Sequence, residues 1–121
     1  MGAFRTAIET ADLDTIASAL APDVTFRSPA VHKPYVGRDA TLFVLAGVLQ
    51  VFEDFRYVAS VSEDHHEVLR FEARVGDREI DGVDIVSYDE SGLVDELTVM
   101  IRPLSGLTAV QQAMGRVLGL A

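Results

Sequence analysis

Apolar residues recur with helical spacing in the first half of the chain and again at its end. The apolar residues at 4–11 have the spacing of one helical face, which predicts a first helix there. A second short helix is predicted at 12–20, with the acid at its first position as N-cap and Pro22 as its stop. A longer helix is predicted at 38–53, and the amphipathic tail at 107–118 is predicted to be a closing helix.

Between these helices the pattern changes to the alternation typical of half-buried strands. A first strand is predicted at 24–28, and the following stretch at 30–37 contains proline and glycine and is predicted to be a loop. Three or four further strands are predicted, at residues 55–62, 67–75, 78–88 and 93–102. Gly76-Asp77 and Ser91-Gly92 suit turns between antiparallel strands. Helices segregated against a mostly antiparallel sheet predict an α+β fold.

Alternation also predicts which side chains share a face of the sheet. One face of the strand at 67–75 is apolar and includes Phe71, and this face is expected to line the interior. Its other face carries Arg70, Glu72 and Arg74, which we expect to form ion pairs with neighbouring strands on the outer side. The last strand also has an apolar face, made of Leu97, Val99 and Ile101.

Asp84 is the candidate functional group, because it is a carboxylate inside the apolar run 82–86. Burial without a partner raises the pKa of an acid, and a perturbed acid in an apolar cavity is a reasonable functional candidate. Alternation leaves open which side chains of this strand face inward. Both the set Asp84, Val86 and Tyr88 and the set Val83, Ile85 and Ser87 suit the interior.

Length, composition and charge narrow the class of protein. A chain of 121 residues, 49% hydrophobic and 24% charged, suits one globular domain. Its net charge of −9, with no basic stripe, disfavours nucleic acid and anionic membrane surfaces as partners. The chain has no cysteine, no recognisable signal peptide and no apolar stretch long enough to span a bilayer, so a cytoplasmic protein is expected.

Metal binding is disfavoured by the spacing of the histidines. His65 and His66 are adjacent, so on a strand their side chains point to opposite faces and cannot bind one metal together. No third ligand occurs at a useful spacing. A glycine-rich phosphate loop is also missing from the sequence, so neither a metal nor another cofactor is expected.

The order of elements resembles the SnoaL-like branch of the nuclear transport factor 2-like superfamily over nearly the whole chain, taken as a single domain at 1–121. The phrases that carry the resemblance lie at residues 11–16, 20–26, 35–38 and 82–97. The resemblance implies a cystatin-like cone of curved sheet, closed by N-terminal helices and a C-terminal helix. It also implies a deep apolar pocket for a small apolar molecule and a homodimer packed through the sheet.

The last hairpin is similar to that of ketosteroid isomerase, a member of this superfamily. Asp84 falls where that enzyme has a protonated Asp facing its pocket, which favours Asp84, Val86 and Tyr88 as the inward set. The enzyme's proton-abstracting Asp falls on Ser28, and its oxyanion-hole Tyr falls near Phe4. Because two of three catalytic groups are replaced, steroid isomerisation by that mechanism is not predicted.

His32 is the candidate general base, because Ser28 stands where the related enzyme has its base and cannot take over that role. It lies in the loop 30–37, which in this fold borders the pocket mouth, and an unperturbed imidazole titrates near ~6.5. A neutral Asp84 would then be the acid or hydrogen-bond donor. The alternative is that His32 is a solvated loop residue. The predicted substrate-binding residues are Phe26, Ser28, Tyr35, Phe71, Val86, Tyr88, Leu97, Val99 and Ile101.

Three functional hypotheses follow from different classes. The first is a cofactor-free acid/base enzyme, an isomerase, cyclase or dehydratase, acting on a small apolar carbonyl or polyketide-like compound. The second is a protein that binds such a ligand without converting it. The third is an interaction module that pairs through the sheet face around Glu96, Thr98 and Met100, with a filled pocket and Asp84 bonded to protein groups.

Overall fold

The computed structural model of the protein describes residues 2–119. Four helices are found in that part of the chain, namely α1 (Ala3–Thr10), α2 (Leu13–Ala19), α3 (Arg38–Val51) and α4 (Leu104–Leu118). The strands are β1 (Leu20–Arg27), β2 (Tyr35–Val36), β3 (Glu53–Glu63), β4 (His66–Val75), β5 (Arg78–Tyr88) and β6 (Val94–Arg102). The predicted order of helices and strands is confirmed except for β2, which was not predicted, and some ends are shifted.

The strands form one curved sheet in the order β2-β1-β6-β5-β4-β3. The strands β3 to β6 pair antiparallel in sequence order, and β2 pairs antiparallel with β1. The pairing between β1 and β6 is parallel, so the sheet is mixed. The α+β prediction is confirmed, and the helices pack on the inner face of the sheet.

Pro22 does not stop a helix, and the sequence prediction was wrong there. The helix α2 ends at Ala19, the backbone is already extended at Leu20, and Pro22 lies inside β1. The register between β1 and β6 shifts between Leu20 and Thr25, so a proline without an N–H group fits the interrupted ladder. The predicted loop at 30–37 likewise contains the short strand β2, which pairs with β1.

Burial along β5 resolves the choice that alternation left open. Asp84, Val86 and Tyr88 are buried, whereas Val83, Ile85 and Ser87 on the other face are partly exposed. The inner face of β4 supplies further core residues, and its outer face forms the predicted ion pairs. These pairs are Arg56–Glu72 at 2.8 Å, Arg70–Asp81 at 3.2 Å and Arg74–Asp54 at 2.8 Å.

Candidate functional site

A cavity of about 880 Å³ lies between the inner face of the sheet and the helices. Its wall is mostly apolar, and it receives side chains from α1, α3, α4, the sheet and the loop after β1. A volume of this size is within the range of small-molecule sites. The third hypothesis expected a filled pocket, and this open cavity does not agree with it.

Asp84 and Tyr57 form a buried polar pair on the cavity wall. The hydroxyl of Tyr57 donates a hydrogen bond of 2.7 Å to Oδ2 of Asp84, and both residues line the cavity. Asp84 is 7% exposed and Tyr57 is 8% exposed. Within residues 2–119, no other side-chain hydrogen bond reaches the carboxyl of Asp84. One of its oxygens is therefore available to a molecule in the cavity.

Burial controls the protonation of this pair. Loss of water raises the pKa of Asp84 to about 7, and the hydrogen bond from Tyr57 works in the opposite direction by favouring the carboxylate. Burial also raises the pKa of Tyr57, and the nearby charge of Asp84 adds to that rise. Near neutral pH, Tyr57 is therefore a hydrogen-bond donor, and Asp84 exchanges a proton easily.

The ring of Tyr57 is held on two sides. The ring of Phe55 contacts it edge to face with centroids 4.9 Å apart. The guanidinium of Arg5 lies over the ring with its Cζ 5.5 Å from the centroid. Arg5 is in α1, so this contact joins the first helix to β3. These contacts fix the direction of the hydroxyl towards Asp84.

Most of the predicted binding residues line the cavity. Phe26 and Tyr35 meet with ring centroids 5.8 Å apart at the end of the cavity wall formed by β1 and β2. The others that line it are Ser28, Phe71, Leu97, Val99 and Ile101. The apolar faces predicted for β4 and β6 therefore contribute directly to the wall.

Val86 and Tyr88 are buried but do not line the cavity, which corrects their expected role in substrate binding. For Tyr88 the reason is a second polar pair further along β5. The hydroxyl of Tyr88 donates to Oε1 of Glu67 at 2.7 Å and accepts the backbone N–H of Phe4 at 3.2 Å. Burial and the bond to Glu67 raise the pKa of Tyr88 to about 12. Tyr88 therefore anchors the start of α1 to the sheet.

His32 is exposed and is absent from the cavity wall, unlike its neighbours Ala30 and Val31. The Oγ atom of Ser28 accepts the backbone N–H groups of Ala30 and Val31, at 3.2 and 2.9 Å. These two bonds turn the chain after Ser28 and leave His32 beyond the mouth of the cavity. The expectation that its imidazole works beside Asp84 is corrected accordingly.

Tyr57 is the functional candidate that sequence reasoning missed. Its predicted strand was correct, and the inward alternation of Phe55 and Tyr57 was visible in the sequence. A buried tyrosine needs a partner for its hydroxyl, and that requirement was the available signal. Only the sheet order identifies this partner, because β4 lies between the strands that carry Tyr57 and Asp84.

The site residues are not arranged for a metal. No group of three or more metal-ligating side chains occurs within residues 2–119. The same part of the chain contains no helix long and apolar enough to cross a membrane.

Comparison with known proteins identifies the family. The profile of the SnoaL-like domain matches residues 2–97, and the chain belongs to this family, within the nuclear transport factor 2-like superfamily. A steroid delta-isomerase from Pseudomonas aeruginosa is 42% identical, with a TM-score of 0.91, over 96% of this chain and 86% of its own.

Two further solved structures show the same fold. An uncharacterised protein with a cystatin-like fold from Silicibacter pomeroyi is 33% identical, with a TM-score of 0.91, over 96% of this chain and 82% of its own. A protein of unknown function from Cytophaga hutchinsonii, also of the nuclear transport factor 2-like type, is 17% identical, with a TM-score of 0.65. The match covers 84% of this chain and 85% of that protein. No protein of curated function has a significant match to the chain.

Proposed function

We propose that the protein is a cofactor-free acid/base enzyme that moves a proton on a small apolar carbonyl compound. The observation that carries the proposal is the Asp84–Tyr57 pair on the wall of an apolar cavity of about 880 Å³. The similarity to a steroid delta-isomerase supports the same reaction class. We propose isomerisation before cyclisation or dehydration, because one acid and one hydroxyl are sufficient for it.

The reaction needs one group that carries the proton and one that stabilises the oxygen. The carboxylate of Asp84 takes a proton from the carbon next to the carbonyl, and the C–H electrons form a carbon–carbon double bond as the carbonyl π pair moves to oxygen. Protonated Asp84 accepts hydrogen bonds less well, so the hydroxyl of Tyr57 is released to donate to the enolate oxygen. Asp84 then returns the proton at a different carbon, and no co-reactant is consumed.

The pKa of Asp84 suits this role. A general acid/base is most effective when its pKa is near the working pH, and burial raises the pKa of Asp84 to about 7. Ser28 and Phe4 also line the cavity, but Ser28 cannot serve as the base and Phe4 cannot donate a hydrogen bond to the oxygen, as the groups of ketosteroid isomerase do at those positions. In our proposal Asp84 replaces the missing base, and Tyr57 replaces the missing hydroxyl from another strand.

Proton exchange in D₂O is the test, because it detects enolisation even when no product accumulates. Two-, three- and four-ring β,γ-unsaturated ketones would be incubated with the protein, and deuterium uptake beside the carbonyl followed by NMR. We expect catalysed exchange that falls about 100-fold or more in Asp84→Asn, since general acid/base catalysis contributes about that much. Ketones that bind without any exchange above the buffer rate would contradict the enzyme proposal.

A ligand-binding protein without turnover is the second candidate. It is favoured by the absence of any histidine from the cavity wall within the described residues. In that case Asp84 and Tyr57 would fix the ligand oxygen by hydrogen bonds alone. Asp84→Asn would then retain most of the ketone affinity, measured by ligand-observed NMR, and the wild-type protein would show no exchange.

We propose in addition that two copies pair through the outer face of the sheet. Val61, Val68, Ile85 and Thr98 stand opposite one another in consecutive strands, so they form one row across β3 to β6. Val61 is 69% exposed, and Met100, which lies opposite Val83 beside this row, is 54% exposed. A second copy of the chain, docking through the same row, would cover Val61 and Met100. A two-fold interface uses the same surface of both copies in this way.

The test of this pairing is the mass of the protein in solution. We expect a dimer by analytical ultracentrifugation, and Val61→Lys or Met100→Lys should shift it towards the monomer. Leu104→Lys is the matched control, because Leu104 is 79% exposed but lies on α4, away from this face. A wild-type monomer at micromolar concentration would refute the pairing.

A further inference from the structure

Arg5 and Glu9 lie beside the Asp84–Tyr57 pair without touching the carboxyl group. The guanidinium of Arg5 is over the ring of Tyr57, 5.5 Å from its centroid. Its Nε is 3.4 Å from Oε2 of Glu9, one helical turn further along α1. Glu9 lines the cavity, whereas Arg5 does not line it and reaches the pair through the ring of Tyr57.

We infer that Arg5 is a positioning residue, which acts through the ring of Tyr57 to set how strongly the hydroxyl donates to Asp84, and that Glu9 opposes it. The inference deepens the proposed function where it concerns turnover. The hydrogen bond itself is present without a substrate, so the inference can be tested in the free protein.

The physical reason is the polarity of an aromatic ring. A cation above the ring is attracted to its electron-rich face and draws electron density from the hydroxyl, which makes the O–H group a stronger donor. A stronger donor favours the charged carboxylate of Asp84 over its neutral form. The charge of Arg5 favours proton loss from Tyr57, and the charge of Glu9 disfavours it. The two residues therefore have opposite effects on the same bond.

Other charged groups near the Asp84–Tyr57 pair are unchanged in variants of Arg5 and Glu9. From β3, Arg56 is exposed and binds Glu72 at 2.8 Å. From β4, Glu67 is on the inner face, two residues from Leu69, which stands opposite Asp84, and it accepts the hydroxyl of Tyr88. Substitution of Arg5 or Glu9 leaves these groups in place, so a difference between variants reports the two charges of α1.

The experiment is a pH titration of the Asp84 carboxyl by ¹³C NMR in the ligand-free protein, with Asp84→Asn identifying the signal. Arg5→Met keeps an unbranched apolar side chain over the ring but removes the charge, and we expect the pKa of Asp84 to rise by roughly half a pH unit. Glu9→Gln should lower the pKa, and Arg5→Lys should leave it close to that of the wild type. Thermal unfolding would verify that each variant is folded.

The path through Tyr57 is tested by repeating Arg5→Met in a Tyr57→Phe background. If Arg5 acts through the ring and its hydroxyl, the effect of Arg5→Met should be lost there. If Arg5→Met changes the pKa of Asp84 equally in the Tyr57→Phe background, the charge acts directly on Asp84. If Arg5→Met and Glu9→Gln shift the pKa of Asp84 in the same direction, the cause is packing. Either result overturns the inference. A protein that shows these shifts but no ketone exchange would refute the proposed reaction and leave the inference standing.

Discussion

The hydroxyl of Tyr57 and the carboxyl of Asp84 meet at 2.7 Å, although the whole strand β4 separates their strands. On β4, Phe71 stands opposite Tyr57, and Leu69 stands opposite Asp84. The tyrosine side chain is long enough to cross β4 on the inner face of the sheet. This bond partly offsets the effect of burial on the pKa of Asp84, and it places two polar groups on the wall of the cavity.

Removing the hydroxyl of Tyr57 should make Asp84 harder to ionise. The bond lowers the pKa of Asp84 against the effect of burial, so Tyr57→Phe should raise that pKa above its value of about 7. A hydrogen bond to a charged group is worth about 1.5–3 kcal/mol, which corresponds to roughly 1 to 2 pH units. The measurement is the ¹³C titration of Asp84. Tyr35→Phe, on the same cavity wall, is the control and should leave the titration unchanged.

The raised pKa of Asp84 should make the protein less stable as the pH rises. Burial raises this pKa from 3.8 to about 7, so the folded state holds a proton that the unfolded state has lost. Folding is therefore unaffected by this group below about pH 4, and stability falls between about pH 4 and 7. The full loss above that range is on the order of 4 kcal/mol.

Asp84→Asn removes this ionisation, so the variant should be more stable than the wild type at pH 8 and similar to it at pH 4.5. Urea unfolding at the two pH values measures the difference. Asp81→Asn is the matched control on the outer face of the same strand, where Asp81 binds Arg70 and Arg102, and it should retain the pH dependence of the wild type. Equal pH dependence in the two variants would show that Asp84 is not the responsible group.

The sequence located Asp84 but not its partner, and the difference has a physical cause. A carboxylate in an apolar strand is a local signal, since neighbouring residues alone indicate that it must lose water. Tyr57 alternates with Phe55 like any aromatic core residue, and its role depends on which strands lie beside each other. The loop position of His32 has no periodicity from which the direction of a side chain could be predicted.

The ends of helices and strands were also predicted correctly where they depend on nearby residues, and wrongly where they depend on distant ones. Both ends of β5 were predicted correctly because turn residues border a long alternating run. Pro22 was misinterpreted because its place inside β1 depends on an irregular pairing with β6, a strand about 70 residues further along the chain. Turn-forming residues and prolines therefore predict the ends of an element reliably only where strands that are adjacent in the sequence also pair in the sheet.

Gly82 should not tolerate a side chain. A Cβ atom there would lie 2.2 Å from the carbonyl oxygen of Met100 and 2.8 Å from Cζ of Phe71. The carbonyl belongs to the backbone of β6 and cannot move without disturbing the sheet. We expect Gly82→Ala to lower the free energy of unfolding by about 1–3 kcal/mol, as overpacking of a core does.

Urea unfolding at one pH measures this effect. Ser87→Ala, on the outer face of the same strand, is the control and should change stability by about 0.5 kcal/mol or less. Phe71 lines the cavity, so Gly82→Ala should also weaken ketone binding by pushing the ring into that space. A fully stable Gly82→Ala variant would contradict the close approach of β5 and β6 at this position.

Tyr88 should hold the first helix closed over the cavity. Its hydroxyl links the backbone N–H of Phe4 to the buried carboxyl of Glu67, and α1 carries Phe4, Ile8 and Glu9 into the cavity wall. Tyr88→Phe leaves the N–H group and the carboxyl without this partner, which costs about 1–3 kcal/mol for a buried polar group.

The loss should appear first as local opening of α1, because the sheet keeps its own hydrogen bonds. Hydrogen exchange measured by mass spectrometry should therefore speed up in the peptide containing residues 3–10 more than in β4 and β5. Thr10→Ser is a control in the same helix that retains a hydroxyl able to bond to the carbonyl of Ala7. If exchange rises equally throughout the Tyr88→Phe variant, the pair stabilises the whole fold and is not a specific anchor of α1.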